Sequence, residues 1–179
     1  GQAWARENLD FQFDIESIPA EEERVVMNGN QAAALGAIAA GMEICAMYPI
    51  TPATSVSHEL SDVFEHYGGM VHQAEDEIAA MSATVGAAYG GQMAVMASSG
   101  PGICLKGEAM GLGMITELPM VIIDVQRGGP ITGLPTKTEQ SDLLAAVYGG
   151  PGDSPRIVLA PSDVEECYTH TILSFQMAE

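Results

Sequence analysis

The sequence predicts a doubly wound α/β domain, in which a parallel β-sheet carries helices on both faces. From Val25 onward, short apolar runs alternate with helical stretches. The runs are continuously apolar, as expected of parallel strands that are covered on both sides. Gly- and Pro-rich loops directly follow three of these runs. The three observations together indicate the fold class.

The predicted elements follow in order along the chain. Asn30 begins a helix of small residues over 31–40, which Gly41 ends. Ser162, with Glu165 three residues later, predicts a capping box at the start of a last helix. The other helices are predicted over 56–66, 78–89, 104–116 and 142–147, and the strands over 44–47, 70–72, 93–97, 120–125 and 156–159.

The chain is predicted to hold one domain with an extension before it. Residues 1–24 are polar and acidic and do not share the alternating pattern, so we interpret them as a linker or the tail of a preceding domain. Residues 25–179 suffice for a domain with a full hydrophobic core. This architecture would place another strand after the last helix, so we expect the domain to be truncated at its C-terminal end.

The composition argues against several classes of partner. The chain carries 24 acidic and six basic residues, a net charge of −18, which disfavours nucleic acids and anionic membranes. A charged fraction of only 17% suggests either a large core or a surface buried against another subunit. The three cysteines form no C-x-x-C pair, which argues against both a disulfide framework and an iron–sulfur cluster held by this chain. With no leader or membrane-spanning run, the expected compartment is the cytoplasm.

Four features are expected to meet at one edge of the sheet. The loops 48–54, 98–102 and 126–140 each follow a predicted strand, and Glu75 follows another at the start of a helix. In doubly wound folds, functional loops lie at the carboxyl ends of the strands. The sequence therefore predicts a single site at that edge.

The first loop, YPITPAT, places Thr51 between Pro49 and Pro52. Because proline fixes its own backbone and restricts the preceding residue, the loop would hold the threonine hydroxyl and nearby N–H groups rigidly. Such an arrangement suits a small oxyanion, but it is equally typical of a stiff structural turn.

Arg127 begins the loop QRGGPITGLPT and is one of four arginines in the chain. A guanidinium beside glycines, which allow a ligand to approach the backbone, makes a good receptor for a carboxylate or phosphate. The alternative is a structural ion pair with one of the many acids.

Glu75 lies at the start of the helix that continues through Asp76 and Glu77. Acids are favourable at helix N-termini, which explains the two later residues well. Glu75 lies nearest the strand end, where it could be desolvated. A desolvated carboxylate can exchange a proton with a bound heterocycle.

No metal site is predicted within this chain. The dinucleotide-binding, Walker and zinc-protease signatures are missing, and no Ser/His/Asp order can be argued. The four histidines have no metal-ligand spacing, so we interpret them as surface or packing residues; they are His58, His66, His72 and His170.

Four stretches, in this order and spacing, resemble the alpha subunit of 2-oxoacid:ferredoxin oxidoreductases: YPITPAT, QAEDEIAA, SSGPG and DVQRGGPITGLPTKTEQSD. The resemblance runs from about Asn28 to the C-terminus. The last stretch is long and very specific, whereas SSGPG alone would be a weak signal. Ile131 departs from the pattern, because the family is expected to have a serine there, and this change would alter hydrogen bonding in the loop.

The resemblance implies a domain that binds the aminopyrimidine of thiamine diphosphate. Glu75 matches the glutamate that hydrogen-bonds the pyrimidine N1′ and promotes its imino tautomer. Thr51 and Arg127 match the residues that hold the 2-oxoacid carboxylate. Further contacts with the cofactor are expected from four residues of the same loops, namely Pro49, Ile50, Ser99 and Gly100.

The resemblance also implies partners. A beta subunit would hold the diphosphate, Mg²⁺ and at least one [4Fe–4S] cluster, so the enzyme would be a hetero-oligomer. The expected reaction is the oxidative decarboxylation of a 2-oxoacid, best guessed as 2-oxoglutarate, with coenzyme A as acyl acceptor and ferredoxin as electron acceptor. Three alternatives stay open: a pyruvate-specific member of the family, a lipoamide-type or transketolase-like thiamine enzyme subunit, and a non-catalytic interaction module that keeps the fold.

Overall fold

The fold is known from a computed structural model, which describes residues 1–11, 16, 18, 19, 21–130 and 132–179. The predicted effect of Ile131 on its loop therefore lies outside the described residues. The described part contains the four strands β1 (Ile44–Met47), β2 (Met70–Gln73), β3 (Ala94–Ser98) and β4 (Met120–Asp124).

The α-helices are α1 (Gln2–Asn8), α2 (Gly29–Ala39), α3 (Thr54–Val63), α4 (Glu77–Tyr89), α5 (Gly100–Leu105), α6 (Gly107–Ile115), α7 (Leu143–Tyr148) and α8 (Val164–Ala178). A short 3₁₀ helix, Phe64–Tyr67, extends α3. Helix α1 falls in the stretch interpreted as a linker or tail, and it buries no side chain.

The sheet is parallel throughout, with the strand order β2-β1-β3-β4. Met47 lies opposite both Gln73 and Ala97, and Ser98 lies opposite Asp124, so all four strands end at the same edge. The predicted parallel α/β architecture is confirmed, and the strand predicted over 44–47 matches β1 residue for residue.

Apolar side chains are buried on both faces of the sheet. In β3, Val95 belongs to a cluster with Leu60 and Phe175, which come from α3 and α8. The next residue, Met96, belongs to a second cluster with Met81 of α4. Since neighbouring residues of a strand point to opposite faces, these two clusters are the two sides of a doubly wound fold.

Small residues allow close approach of α2 and α8. A Cβ on Gly36 would stand 2.6 Å from the carbonyl oxygen of Tyr168 in α8, closer than real contacts allow. The missing side chain at Gly36 therefore lets α2 and α8 pack at short range.

The strand predicted over 156–159 is wrong. Ile157 is 66% exposed and Val158 is 38% exposed, and these described residues pair with no strand. Instead, the Arg156 guanidinium lies 3.4 Å from the carbonyl oxygens of Ala145 and Ala146. A β-prone run becomes a strand only beside a neighbour that supplies hydrogen bonds, and none is present at this position among the described residues.

Three helix predictions need correction. The N-cap of α2 is Asn28 rather than Asn30: the Asn28 side chain accepts from the Gln31 N–H at 3.0 Å. The helix predicted over 104–116 is divided into α5 and α6, with Lys106 as the junction, next to the poor helix former Gly107. The last helix is capped by Asp163 rather than Ser162: the Asp163 carboxylate accepts from the Glu166 N–H at 2.8 Å. A carboxylate competes well for this position because it also interacts favourably with the helix dipole.

None of the helices in the described residues has both the length and the apolar character that a bilayer crossing requires.

Candidate active site

The four predicted features do meet at the carboxyl edge of the sheet. The loop 48–54 follows β1, Glu75 follows β2, and the loop 126–140 follows β4. The segment predicted as the loop 98–102 is instead the end of β3 and the first turn of α5. Since the four strands are parallel and in register, these segments leave the sheet at the same edge. The prediction that they gather there is confirmed.

Helix α2 holds the Thr51 loop through hydrogen bonds from Asn30. The Asn30 amide donates to the Pro52 carbonyl at 3.0 Å and to the Ser55 hydroxyl at 2.6 Å. The Thr54 N–H donates to the Ile50 carbonyl at 3.0 Å, which closes a turn around Thr51. The residue itself is exposed, so its hydroxyl faces solvent from a fixed loop.

Arg127 connects its own loop to the Thr51 loop. Its Nη1 donates to the Thr51 carbonyl at 2.8 Å and its Nη2 donates to the Thr132 carbonyl at 3.1 Å. The side chain is only 7% exposed, and its buried Nε has no hydrogen-bond partner among the described residues. The guanidinium hydrogen-bonds backbone carbonyls, and its charge also favours the charged form of Asp142, so the structural ion pair considered for it stays open.

The Arg127 loop folds back on itself. Gly128 donates its N–H to the Lys137 carbonyl at 2.8 Å and accepts from the Leu134 N–H at 2.9 Å. Gly133 has a φ of +36°, and a Cβ there would stand 2.5 Å from the Gly128 oxygen. Glycine is therefore required at this turn, which presents Arg127 at a defined place.

Glu75 is exposed between β2 and α4. Helix capping does not explain this residue, because Asp76 is the N-cap and its carboxylate accepts from the Ala79 N–H at 2.7 Å. The expected desolvation of Glu75 is not present within this chain. Its carboxylate instead faces outward at the edge where Thr51 lies.

The four further residues predicted to contact the cofactor differ in how far they are buried. Pro49 is exposed and Ile50 is half-buried, so the first loop offers apolar surface at the edge. Ser99 and Gly100 are buried, and the Gly100 N–H donates to Asp142. Contact between the cofactor and these two residues stays a prediction.

A buried cluster of ionisable groups beside these loops was missed by the sequence reasoning. Lys106 is 0% exposed, and its Nζ has no hydrogen-bond partner among the described residues. Asp124 ends β4 opposite Ser98, and Asp142 accepts from the backbone N–H groups of Gly100 and Arg127. One oxygen of each carboxylate is buried and has no hydrogen-bond partner in the part of the chain that the structure describes.

Burial shifts the ionisation of this cluster. It lowers the pKa of Lys106 to about 7, although the nearby carboxylates of Glu77 and Asp124 favour the charged ammonium. The pKa of Asp124 is raised to about 7, chiefly by burial and also by the negative charge of Asp142, while the charge of Lys106 opposes the shift. The pKa of Asp142 is also raised by burial, against the backbone N–H groups that favour its charged form. Lys106 and Asp124, whose ordinary pKa values lie far apart, thus titrate in the same range near pH 7.

One weak signal in the sequence could have indicated this cluster. Lys106 is one of only two lysines, and it lies in a helical stretch whose only other charged residue is Glu108. Asp124 likewise ends the apolar run MVIID. A charge inside an apolar run predicts a buried partner, but the sequence alone does not say which residue that partner is.

Comparison with known proteins identifies the family. A family model described as "Pyruvate flavodoxin/ferredoxin oxidoreductase, thiamine diP-bdg" matches residues 35–179. The chain belongs to this family. Its relatives include 2-oxoglutarate oxidoreductase subunit KorA of Mycobacterium tuberculosis, which is 49% identical over 173 residues, 94% of this chain and 26% of that protein. Another is 2-oxoglutarate synthase subunit KorA of Methanothermobacter marburgensis, which is 46% identical over 157 residues, 88% of this chain and 42% of that protein.

A solved structure of this family has the same fold. It is the 2-oxoglutarate:ferredoxin oxidoreductase from Magnetococcus marinus with 2-oxoglutarate, coenzyme A and succinyl-CoA bound. It matches with a TM-score of 0.88 and 45% sequence identity, over 99% of this chain and 31% of that chain. The present chain spans from about a quarter to less than half the length of the curated relatives named above. The family confirms the resemblance on which the thiamine-diphosphate assignment was based.

The residues at the edge fit the pyrimidine part of thiamine diphosphate. Glu75 offers an outward-facing carboxylate to a ring nitrogen, and Pro49 and Ile50 offer apolar surface to a flat heterocycle. Groups of three or more His, Cys, Asp or Glu side chains placed to hold a metal ion are not found among the described residues.

Proposed function

We propose that this chain supplies one face of the active site of a 2-oxoacid:ferredoxin oxidoreductase, as part of its alpha subunit. The proposed reaction converts 2-oxoglutarate and coenzyme A to succinyl-CoA and CO₂, and passes two electrons to ferredoxin. The observation that carries this proposal is the meeting of Glu75, Thr51 and Arg127 at one sheet edge in a chain of this family. The names of its similar relatives favour 2-oxoglutarate as the substrate.

Thiamine diphosphate supplies the electron sink that allows a 2-oxoacid to lose CO₂. The part of Glu75 is to hydrogen-bond the pyrimidine nitrogen and to hold or release a proton there. Its exposed position between β2 and α4 supports this role, because a bound ring could reach the carboxylate without rearrangement of the sheet.

Thr51 and Arg127 are proposed to bind the carboxylate of the 2-oxoacid. A guanidinium has five N–H donors, and Arg127 uses one on each Nη for backbone carbonyls. Each Nη keeps one further donor for a ligand, while the carbonyl bonds fix the plane of the group. Such a fixed, charged donor suits a carboxylate better than a flexible lysine would.

The rest of the enzyme is proposed to come from a beta subunit. That subunit would hold the diphosphate, Mg²⁺ and at least one [4Fe–4S] cluster that delivers electrons to ferredoxin, so the active enzyme would be a hetero-oligomer. The three free cysteines, Cys45, Cys104 and Cys167, support a reducing compartment, and we propose the cytoplasm.

Co-expression with the beta subunit tests the proposal. Coenzyme A-dependent reduction of a viologen dye would be measured with 2-oxoglutarate, pyruvate and 2-oxobutyrate. We expect the highest kcat/KM with 2-oxoglutarate. A preference for pyruvate would support the second candidate, a pyruvate enzyme, which the family description favours. Consumption of a 2-oxoacid without any reduction of the dye would indicate a lipoamide-type or transketolase-like enzyme.

The interaction-module alternative is tested by one substitution. Glu75→Gln keeps the size of the side chain but removes the carboxylate. Glu117→Gln is the matched control, because Glu117 is exposed and lies three residues before β4, at the opposite edge of the sheet. If both variants turned over like the wild-type enzyme, Glu75 would have no catalytic role.

A further inference from the structure

The burial of Lys106 needs an explanation. It is the largest of the fully buried side chains, and it lies where α5 ends and α6 begins. Placing an ammonium inside a protein is costly unless it is paired and hydrogen-bonded. Its Nζ has no hydrogen-bond partner among the described residues, so simple structural pairing does not account for it.

Three elements come together around this ammonium. Their distances from Gly102 show how closely they pack. A Cβ built on this glycine would touch Ser98 Oγ and would lie 2.9 Å from Glu77 Cγ and 3.4 Å from Lys106 Nζ. Glu77 belongs to the first turn of α4, Ser98 ends β3, and Gly102 lies in α5. The absence of a side chain at Gly102 is what allows these three polar groups to approach one another.

The acids around Lys106 belong to the segments of the proposed active site. Glu77 lies two residues after Glu75 in the same turn. Asp142 accepts from the backbone N–H groups of Gly100 and Arg127, so it connects the segment 98–102 to the loop of the arginine. Asp124 is close enough to Lys106 and Asp142 to interact electrostatically with both.

The cluster is not arranged for stability alone. Within the described part of the chain, no hydrogen-bond partner is present for the buried ammonium or for four buried oxygens, namely Ser98 Oγ, Ser99 Oγ, Asp124 Oδ1 and Asp142 Oδ2. Buried polar groups are usually satisfied, and exceptions concentrate where function opposes stability. This concentration of exceptions lies directly beside the three segments that carry the proposed chemistry.

We propose that Lys106 is a positioning residue for the thiamine and substrate site: its ammonium holds the start of α4 and the end of β4 beside the segment 98–102 through Glu77 and Asp124. Asp124 in turn lies beside Asp142, which joins the segment 98–102 to the Arg127 loop. This inference rests on the proposed function. Without the positive charge, Asp124 keeps only the repulsion from Asp142, and Glu77 loses its attraction to Lys106, so the segments separate. The start of α4 keeps its own cap through Asp76, so the loss falls mainly on the Arg127 loop and appears in substrate binding.

The test compares variants of the enzyme assembled with its beta subunit. Lys106→Met keeps the length of the side chain without its charge, and Lys106→Arg keeps the charge. We expect Lys106→Met to raise the KM for 2-oxoglutarate about tenfold while kcat changes less than about threefold, and Lys106→Arg to restore much of the affinity. Glu117→Gln, which also changes one charge, is the control and should leave both constants unchanged.

Amide hydrogen exchange gives a readout that does not depend on turnover. In Lys106→Met, exchange in the segments 98–102 and 126–129 should become about tenfold faster, whereas exchange in β1 should not change. If the wild-type enzyme turned over none of the 2-oxoacids, the proposed function would fail, and the exchange data would still decide whether Lys106 holds the loops. Unchanged exchange in both segments would overturn the inference.

A double variant separates positioning from stability. Removing both charges of a buried pair often restores stability, so Lys106→Met combined with Asp124→Asn should recover the melting temperature that Lys106→Met loses. The loops would remain without their connection, and the KM for 2-oxoglutarate should stay high. If KM returned to the wild-type value together with the melting temperature, the cluster would be purely structural. The same result decides the question should the single variant fail to fold.

Discussion

The ionisation of Lys106 can be measured directly, because the chain contains only two lysines, Lys106 and Lys137. Protein labelled with ¹⁵N in lysine should therefore give two side-chain ammonium or amine signals. The substitution Lys106→Met removes one of them and so assigns both. We expect the assigned Lys106 signal to titrate near pH 7, since burial lowers the pKa of this group to about 7.

The same shift predicts a change in stability with pH. The pKa of Lys106 is about 7 in the folded chain against an ordinary value of 10.5, so between these values the unfolded chain binds more protons than the folded one. The free energy of unfolding must then rise with pH in this window. From pH 7, where the folded group is half protonated, to pH 9, the rise amounts to about 2 kcal/mol. Lys106→Met removes this contribution.

Urea unfolding of the wild-type chain and of Lys106→Met at pH 7 and pH 9 measures the difference. Loss of the ammonium also removes the charge that opposes the raised pKa of Asp124, which adds to the difference in the same direction. The reasoning is refuted if the Lys106 signal titrates only above about pH 10, the range of an exposed lysine. An equal rise in the unfolding free energy of both proteins would refute it as well.

Three other predictions concern the site and the packing. Glu75→Gln should lower kcat about 100-fold or more in the assembled enzyme, with Glu117→Gln unchanged, because a positioned acid–base group contributes at least that much. Arg127→Ala should raise the KM for 2-oxoglutarate about 100-fold and far more than that for coenzyme A; equal effects on the two constants would contradict carboxylate binding. Gly36→Ala should lower the unfolding free energy by about 1–3 kcal/mol, because its Cβ would stand 2.6 Å from a backbone oxygen of α8. Gly86 of α4 has open space at the position of a Cβ, so Gly86→Ala should raise the unfolding free energy by up to about 1 kcal/mol. Calorimetry of the two variants measures both changes.

The sheet could be predicted from the sequence because its signal is local. Strands β1 and β3 are buried apolar runs bounded by polar or Gly-rich segments, and each follows a helix with its own side-chain cap. A parallel arrangement then follows from the alternation, and it brings the strand ends to one edge. The contact between Arg127 and the Thr51 loop is a consequence of that rule, although the two residues are 76 positions apart.

The features that the sequence did not reveal depend on long-range contacts. The run 156–159 has the composition of a strand but pairs with none among the described residues, and composition cannot show whether a neighbour exists. The capping of α8 was assigned to Ser162, whereas Asp163 outcompetes it by one position. The cluster of Lys106, Asp124 and Asp142 combines residues from three separate segments, so no local pattern could have joined them.

The burial of each side chain indicates its role in the proposed site. Lys106 and Arg127 are buried, and each interacts with groups from more than one loop. Glu75, Thr51 and Pro49 are exposed, and they are the residues proposed to touch cofactor or substrate. A carboxylate that exchanges a proton with a heterocycle works best when water is excluded from it. Since the edge of this sheet leaves Glu75 open, that exclusion has to come from the bound cofactor and from the surface that closes over it, while this chain contributes the rigid spacing of the groups beneath.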